Sequence, residues 1–421
     1  MIVSQKLGQS AVIYLAANIA NAGVPFLLLP ILTRVLDPAD YGIIAMFAVT
    51  LGVFAAFVGL SVHGAVGVRY FQYTSDKMAD FVTTCLIILM SSTIILAAIV
   101  FFASPYLTLA TGLPRNWLVL GVFIAAAQIA GQIRLSLWQV AGKPIIYGAF
   151  QFSQTLTNAL LSIYLILAVG MAWQGRLIGQ SVALVSFGTL ALLWLYMAGF
   201  IVRPRDFRSH ARDALRFGVP LIPHVLGGLM IVAVDRFIIT GLLDIASAGI
   251  YMVAVQIGQV LGLLTDAFNK AYAPWLMRQL SRSDGTPEKA IVRGTYIYFA
   301  VIVVIALSIG VAAPQIISVM AGSAFQNADA VVIYMALGYA FSGCYLMVTN
   351  YIFFESKTAI LAYMTFAVGL LNIALTYWLV GKNGIVGAGQ AFAVSQFIAF
   401  VGTWGLAQRV HPMPWRKAFS S

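Results

Sequence analysis

The sequence predicts an all-α integral membrane protein: twelve transmembrane helices in two six-helix lobes, related by a parallel internal repeat, around a central cleft. Three observations predict it. Of 421 residues, 61% are hydrophobic and 9% charged, whereas a soluble domain is about 45–50% apolar and about 25% charged. Twelve apolar stretches are each long enough to cross a ~30 Å hydrocarbon core at ~1.5 Å per residue. A shift of 207 residues aligns the start of the chain with its second half.

The stretches fall at 11–33, 42–63, 80–103, 117–138, 147–170, 177–201, 216–240, 247–270, 291–313, 328–353, 359–380 and 387–408. Asp37 and Pro38 end the first, and Pro105, Pro114, the Gly142-Lys143-Pro144 turn, Pro204, Pro274 and Pro314 are expected to separate others. The opening stretch is too long for a cleaved signal peptide, and Lys6 is the single basic residue before it. The two cysteines, Cys85 and Cys344, lie inside apolar runs and read as small core residues.

With the N-terminus placed in the cytoplasm, 19 of the 24 Lys and Arg fall on the inside and five outside. That bias predicts both termini cytoplasmic. The net charge of +11 is then a property of loops beside anionic lipid, with no nucleic-acid partner implied. Residues 202–215 read as a short interfacial helix, with Arg205, Arg208 and Arg212 on one face and Phe207, Ala211 and Ala214 on another. The expected organisation is an N-terminal lobe over 1–201, this linker helix, a C-terminal lobe over 216–408 and a cytoplasmic tail over 409–421.

The repeat is clearest where Thr33–Ile43 lies against Thr240–Ile250, with six of eleven positions identical. Each segment follows the first span of a six-span half. An even number of spans keeps the two halves in the same orientation, so the repeat is parallel and its axis runs along the membrane normal.

Chemical motifs are sparse. No GxxxxGK, HExxH or GxSxG occurs, the four histidines are scattered, and 13 carboxylates lie mostly in loops. No cofactor or metal site is expected, and an enzyme is the weaker class. Polar residues recur instead on single helical faces. Tyr14, Asn18 and Asn21 lie in the first span, Gln151, Gln154 and Asn158 in the fifth, and Gln256, Gln259, Asp266 and Lys270 in the eighth. Such groups face either a watery cavity or other helices. Hydroxyls and amides suit sugars. His63, Arg69, Arg134, Lys270 and Arg236 are candidate cations for a diphosphate, against the alternative that Arg and Lys near span ends snorkel to the interface. Lys270 also has Asp266 one turn away, and Asp266 is an alternative ion site. His224, beside Pro220 and Pro223, reads equally as a core residue or a cleft residue.

The segment LPILTRVLDPADYG at 29–42 resembles the N-terminal signature of the polysaccharide and O-antigen (Wzx-type) flippases of the multidrug/oligosaccharidyl-lipid/polysaccharide (MOP) exporter superfamily. Gly142-Lys143-Pro144 leading into Gln151–Asn158, and DRFII at 235–239 followed by AGIY at 248–251, are similar in kind. The resemblance implies a flippase of the bacterial inner membrane. Its cargo would be a lipid-linked oligosaccharide carried on undecaprenyl diphosphate, with glycan polymerase or export machinery as partners. A cation-coupled multidrug exporter of the same superfamily is the nearest alternative. A membrane polymerase or ligase is a more distant one, since the outside segments are all short.

Overall fold

A computed structural model describes residues 23, 24, 26–281, 288–355 and 358–417. The chain is an all-helical membrane protein and divides into two compact units, Met1–Leu229 and Met230–Ser421.

The first unit contains α1 (Phe26–Val35), α2 (Pro38–Phe57), α3 (Val62–Arg69), α4 (Ser75–Thr111), α5 (Arg115–Val140), α6 (Pro144–Leu167), α7 (Trp173–Met197) and α8 (Phe207–Gly218). α9 (Ile222–Val232) runs across the boundary. The second unit contains α10 (Val234–Leu242), α11 (Ile245–Leu280), α12 (Glu288–Val311), α13 (Ala313–Met320), α14 (Asp329–Phe354) and α15 (Thr358–Val410).

The repeated turn performs the same local task in both units. Asp37 caps α2 by accepting the Asp40 backbone N–H at 2.7 Å. Asp244 caps α11 by accepting the Ser247 N–H at 2.6 Å. Each carboxylate satisfies an orphan amide at the positive end of a helix, a contribution of about 1 kcal/mol. The six identical positions of the repeat therefore include the capping Asp, the apolar residue before it and two small residues in the helix that follows.

Eight described helices are long and apolar enough to cross a membrane, against the twelve stretches expected. The difference has physical sources. Phe26–Val35 is only the described end of its stretch. The carboxamides of α6 lower its hydropathy. The 216–240 stretch breaks at Ala233 into α9 and α10. α15 is two arms merged across Gly384, which has φ 57° and ψ −141°. A Cβ on Gly387 would collide with the backbone carbonyl of Leu379. Residues eight apart in a straight helix are ~12 Å apart along its axis, so the chain folds back here.

Two boundary expectations are corrected. Pro105 and Pro274 do not end helices: α4 runs through Pro105 to Thr111 and α11 runs through Pro274 to Leu280. A proline removes one hydrogen bond and bends a helix, which a long, well-packed helix tolerates. The sixth helix begins at Trp173, so Arg176, expected in a loop, stands in its first turn. Both cysteines are buried, as expected.

α2 and α3 are separated by a break. Gly59, Leu60 and Ser61 all take positive φ (72°, 48° and 59°). The freed Gly59 N–H donates to Ser92 Oγ at 2.9 Å.

Candidate functional site

α6 and α7 form an antiparallel hairpin whose closeness is set by glycine. A Cβ on Gly179 would lie 2.7 Å from the Ser162 backbone nitrogen, and one on Gly175 would lie 3.0 Å from Ile166. This register brings Arg176 of α7 against α6. Its Nη1 donates to Asn158 Oδ1 at 2.5 Å and to Ser162 Oγ at 2.9 Å.

The stripe on α6 is a real face. Tyr147 hydrogen-bonds the Gln151 side chain. Gln154 and Asn158 continue the face at helical spacing and enter the wall of a cavity of about 280 Å³. Thr155 of α6, Gln128 of α5 and Gln180 of α7 add to its polar lining, while Ala48, Leu51 and Gly52 of α2, with Ala183 and Leu184 of α7, form an apolar side. Gln128, Gln180 and Arg176 were not singled out by the sequence pattern. Gln180 stands one turn beyond Arg176 on the same face of α7, and that spacing is the signal that finds it.

The other cations of the first unit have separate environments. Arg134 lies with its guanidinium 4.6 Å from the centre of the Trp138 ring. Its Nε is buried without a hydrogen-bond partner, and no carboxylate pairs with it among the described residues. Trp138 packs edge-on to Phe150 and Trp194. The His63 backbone carbonyl accepts from Ser136 Oγ at 3.2 Å, and its Nδ1 is buried without a partner among the described residues.

Arg69 is committed elsewhere. Its Nε and Nη2 each donate to Asp213 of α8 at 2.7 Å, and the Tyr73 hydroxyl donates to the same carboxylate at 2.9 Å. Arg69's two hydrogen bonds hold the Asp213 carboxyl below the ordinary carboxylate range. Burial, then the hydrogen bond to Asp213, pushes the Tyr73 phenol up. A second anchor lies nearby. Asp80 accepts the backbone N–H groups of Arg205 and Asp206 at 2.9 and 3.2 Å, and His210 Nε2 stands 3.5 Å from it. α8 is thus pinned to α3 and α4 by two carboxylates.

In the second unit, Gln256 is half-buried and Gln259 exposed. Asp266 and Lys270 pair at 2.7 Å, each side chain about half exposed (51% and 53%). Arg236 is buried and pairs with Asp235 at 2.9 Å, whose other oxygen accepts from the Tyr251 hydroxyl. Asn18, Asn21, Tyr14 and Lys6 lie outside the described residues, as does the His224 side chain.

The fold is that of the MOP superfamily. A structure of the lipid II flippase MurJ in an inward closed conformation superposes with a TM-score of 0.75 at 13% identity, covering 94% of this chain and 87% of that one. An inward-facing multidrug resistance MATE family transporter gives a TM-score of 0.61 at 15% identity, with 96% of each chain covered. By sequence, the chain is 25% identical over 378 residues to a product of the Lsg locus of Haemophilus influenzae, across 85% of this chain and 87% of the relative. The profile of the polysaccharide biosynthesis protein family matches residues 7–280. The chain therefore belongs to the polysaccharide biosynthesis protein family, membrane proteins with the MOP transporter fold.

Proposed function

We propose that the protein is a flippase that moves an undecaprenyl-diphosphate-linked oligosaccharide from the inner to the outer leaflet of a bacterial inner membrane. Twelve spans form two six-helix lobes around a cleft, with both termini cytoplasmic, and the lobes alternate access to the two sides. The observation that carries this reading is the carboxamide-lined cavity of the first unit, which lies within the family-matched region. A drug-binding site needs mainly apolar walls, whereas four carboxamides supply the paired donors and acceptors that sugar hydroxyls require.

Gln151, Gln154, Asn158, Gln256 and Gln259, with Asn18 and Asn21, hydrogen-bond the glycan. Among the candidate cations for the diphosphate, Arg134 is the strongest, because no carboxylate pairs with it among the described residues and its Nε is buried without a partner there. Lys270 is paired with Asp266 and must exchange that partner for phosphate. His63 supplies a further polar group. Arg69 serves the anchor of α8 instead. MurJ, of the same fold, is named a flippase of lipid II.

The cargo carries about two negative charges. With the cell interior negative, moving them outward is downhill by approximately 4.6 kcal/mol per 100 mV. The test is transport of a prenyl-diphosphate-linked disaccharide in proteoliposomes. A negative-inside potential, with no proton or sodium gradient, is expected to accelerate outward flipping. Arg134→Ala is expected to cut it at least tenfold at equal protein level, with Arg134→Lys retaining part. Transport that ignores the potential and needs a cation gradient overturns the energetics and turns attention to Asp266. No transport of the lipid-linked sugar at all overturns the function.

A further inference from the structure

Arg176 stands in an unfavourable place for a cation. It is in the first turn of α7, where the helix dipole is positive. Its side chain also points the wrong way for an interfacial anchor. A snorkelling arginine extends towards the nearer membrane surface, and side chains on a helix lean towards its N-terminus, which here is the loop end of the hairpin. The guanidinium instead reaches Asn158, which lies roughly 13 Å along α6 from the end of that helix at Leu167. Its hydrogen bonds are both made by Nη1 and both go to neutral oxygens. The Nη2 and Nε edge makes none among the described residues, and no carboxylate pairs with it there. Its titratable neighbour, the Tyr41 phenol, is neutral and offsets no charge. A charge held inward at this cost and left unneutralised is a functional feature by default.

Asn158, which holds the guanidinium, is also a wall of the carboxamide cavity, and Gln180 is one turn from Arg176. At about 280 Å³ the cavity lies just below the ~300–1,000 Å³ range of drug-sized ligand sites, which is room for one sugar ring. Its four amides suit hydroxyls, and the open edge of a guanidinium suits a carboxylate, which takes two parallel N–H donors.

We infer that the first unit contains a subsite for a single acidic sugar. Arg176 binds the sugar's carboxylate, and Gln128, Gln154, Asn158 and Gln180 bind its hydroxyls. This rests on the flippase reading and sharpens it: the cargo glycan contains a uronic-acid-type residue, and Arg176 selects for it.

The experiment compares two prenyl-diphosphate-linked disaccharides that differ only in glucuronate against glucose at one position. Wild-type protein in proteoliposomes is expected to flip the glucuronate form at least tenfold faster. Arg176→Gln is expected to abolish that preference by slowing the glucuronate form at least tenfold relative to the glucose form, and Arg176→Lys to restore part of it. The wild-type comparison stands even where a variant fails to fold. A second readout does not depend on flipping. In protein lacking Cys85 and Cys344, a cysteine placed at Gln154 is labelled by a small thiol reagent, with sodium glucuronate or glucose present. Protection by glucuronate but not glucose, lost in Arg176→Gln, supports the subsite. Equal transport of both lipids, or equal protection by both sugars, overturns it. Protection by glucuronate with neither lipid transported keeps the subsite and overturns the flippase reading.

Discussion

Arg69 and Asp213 offer the most direct test of whether a cation near a span end handles cargo or holds the fold. The two side chains share a bidentate pair with both N···O distances at 2.7 Å, and they are 24% and 27% exposed. Hydrogen bonds to charged groups contribute about 1.5–3 kcal/mol each when shielded, while solvent-exposed pairs give about 0–1 kcal/mol. A pair one-quarter exposed falls between, so a coupling energy of about 2 kcal/mol is expected from the cycle Arg69→Ala, Asp213→Ala and the double variant. The assay is reversible unfolding in mixed micelles. Asp213 also gives a pH signature. Its carboxyl is held below the ordinary carboxylate range by Arg69. Its contribution is then fully present above the unfolded value of ~3.9 and is lost as the pH falls through the lower folded value. Wild type and Asp213→Asn should therefore differ in stability near neutral pH and converge at acid pH. The double variant should keep transport at matched protein level. A coupling energy below ~0.5 kcal/mol, or loss of transport in a well-folded double variant, refutes the structural role and returns Arg69 to the cargo-binding cations.

Two further outcomes are expected. Gly179→Val places atoms against the Ser162 backbone and should cost about 1–3 kcal/mol by overpacking, while Gly294→Ala, which meets nothing within 4 Å in an exposed stretch of α12, should be neutral or stabilising by up to ~1 kcal/mol; equal effects in unfolding measurements would contradict the hairpin register. Reporter fusions after residue 420 and within 203–213 should behave as cytoplasmic and those near 110 and 320 as external, and an external C-terminus would remove the basis for twelve spans and for the parallel repeat.

The helices are legible in the sequence because lipid leaves a chain few choices. Without water, every backbone group must pair within its own segment, so length and apolarity predict helices at nearly every stretch. The same logic fails at boundaries. Pro105 and Pro274 read as stops because an isolated helix pays heavily for proline, yet α4 and α11 each continue past it. The turn at 33–43 is legible for a better reason: it encodes a capping Asp, whose chemistry is local and recurs at Asp244.

The site is legible only in part, and the division is instructive. Gln154 and Asn158 were found because a polar face on an apolar helix is a one-dimensional pattern. Arg176 follows no such pattern. Charge counting for orientation assigns it to a loop, since that rule reads position along the chain and not the direction in which a side chain extends. Direction here is decided by two glycines, at 175 and 179, which let α7 close on α6 so that Asn158 and Ser162 come within reach. Arg69 makes the converse point. It looks like a free cation because its partner is 144 residues away on α8. Whether a membrane arginine is neutralised is a tertiary fact, and it separates Arg69, which holds a helix in place, from Arg134 and Arg176, which pair with no carboxylate among the described residues.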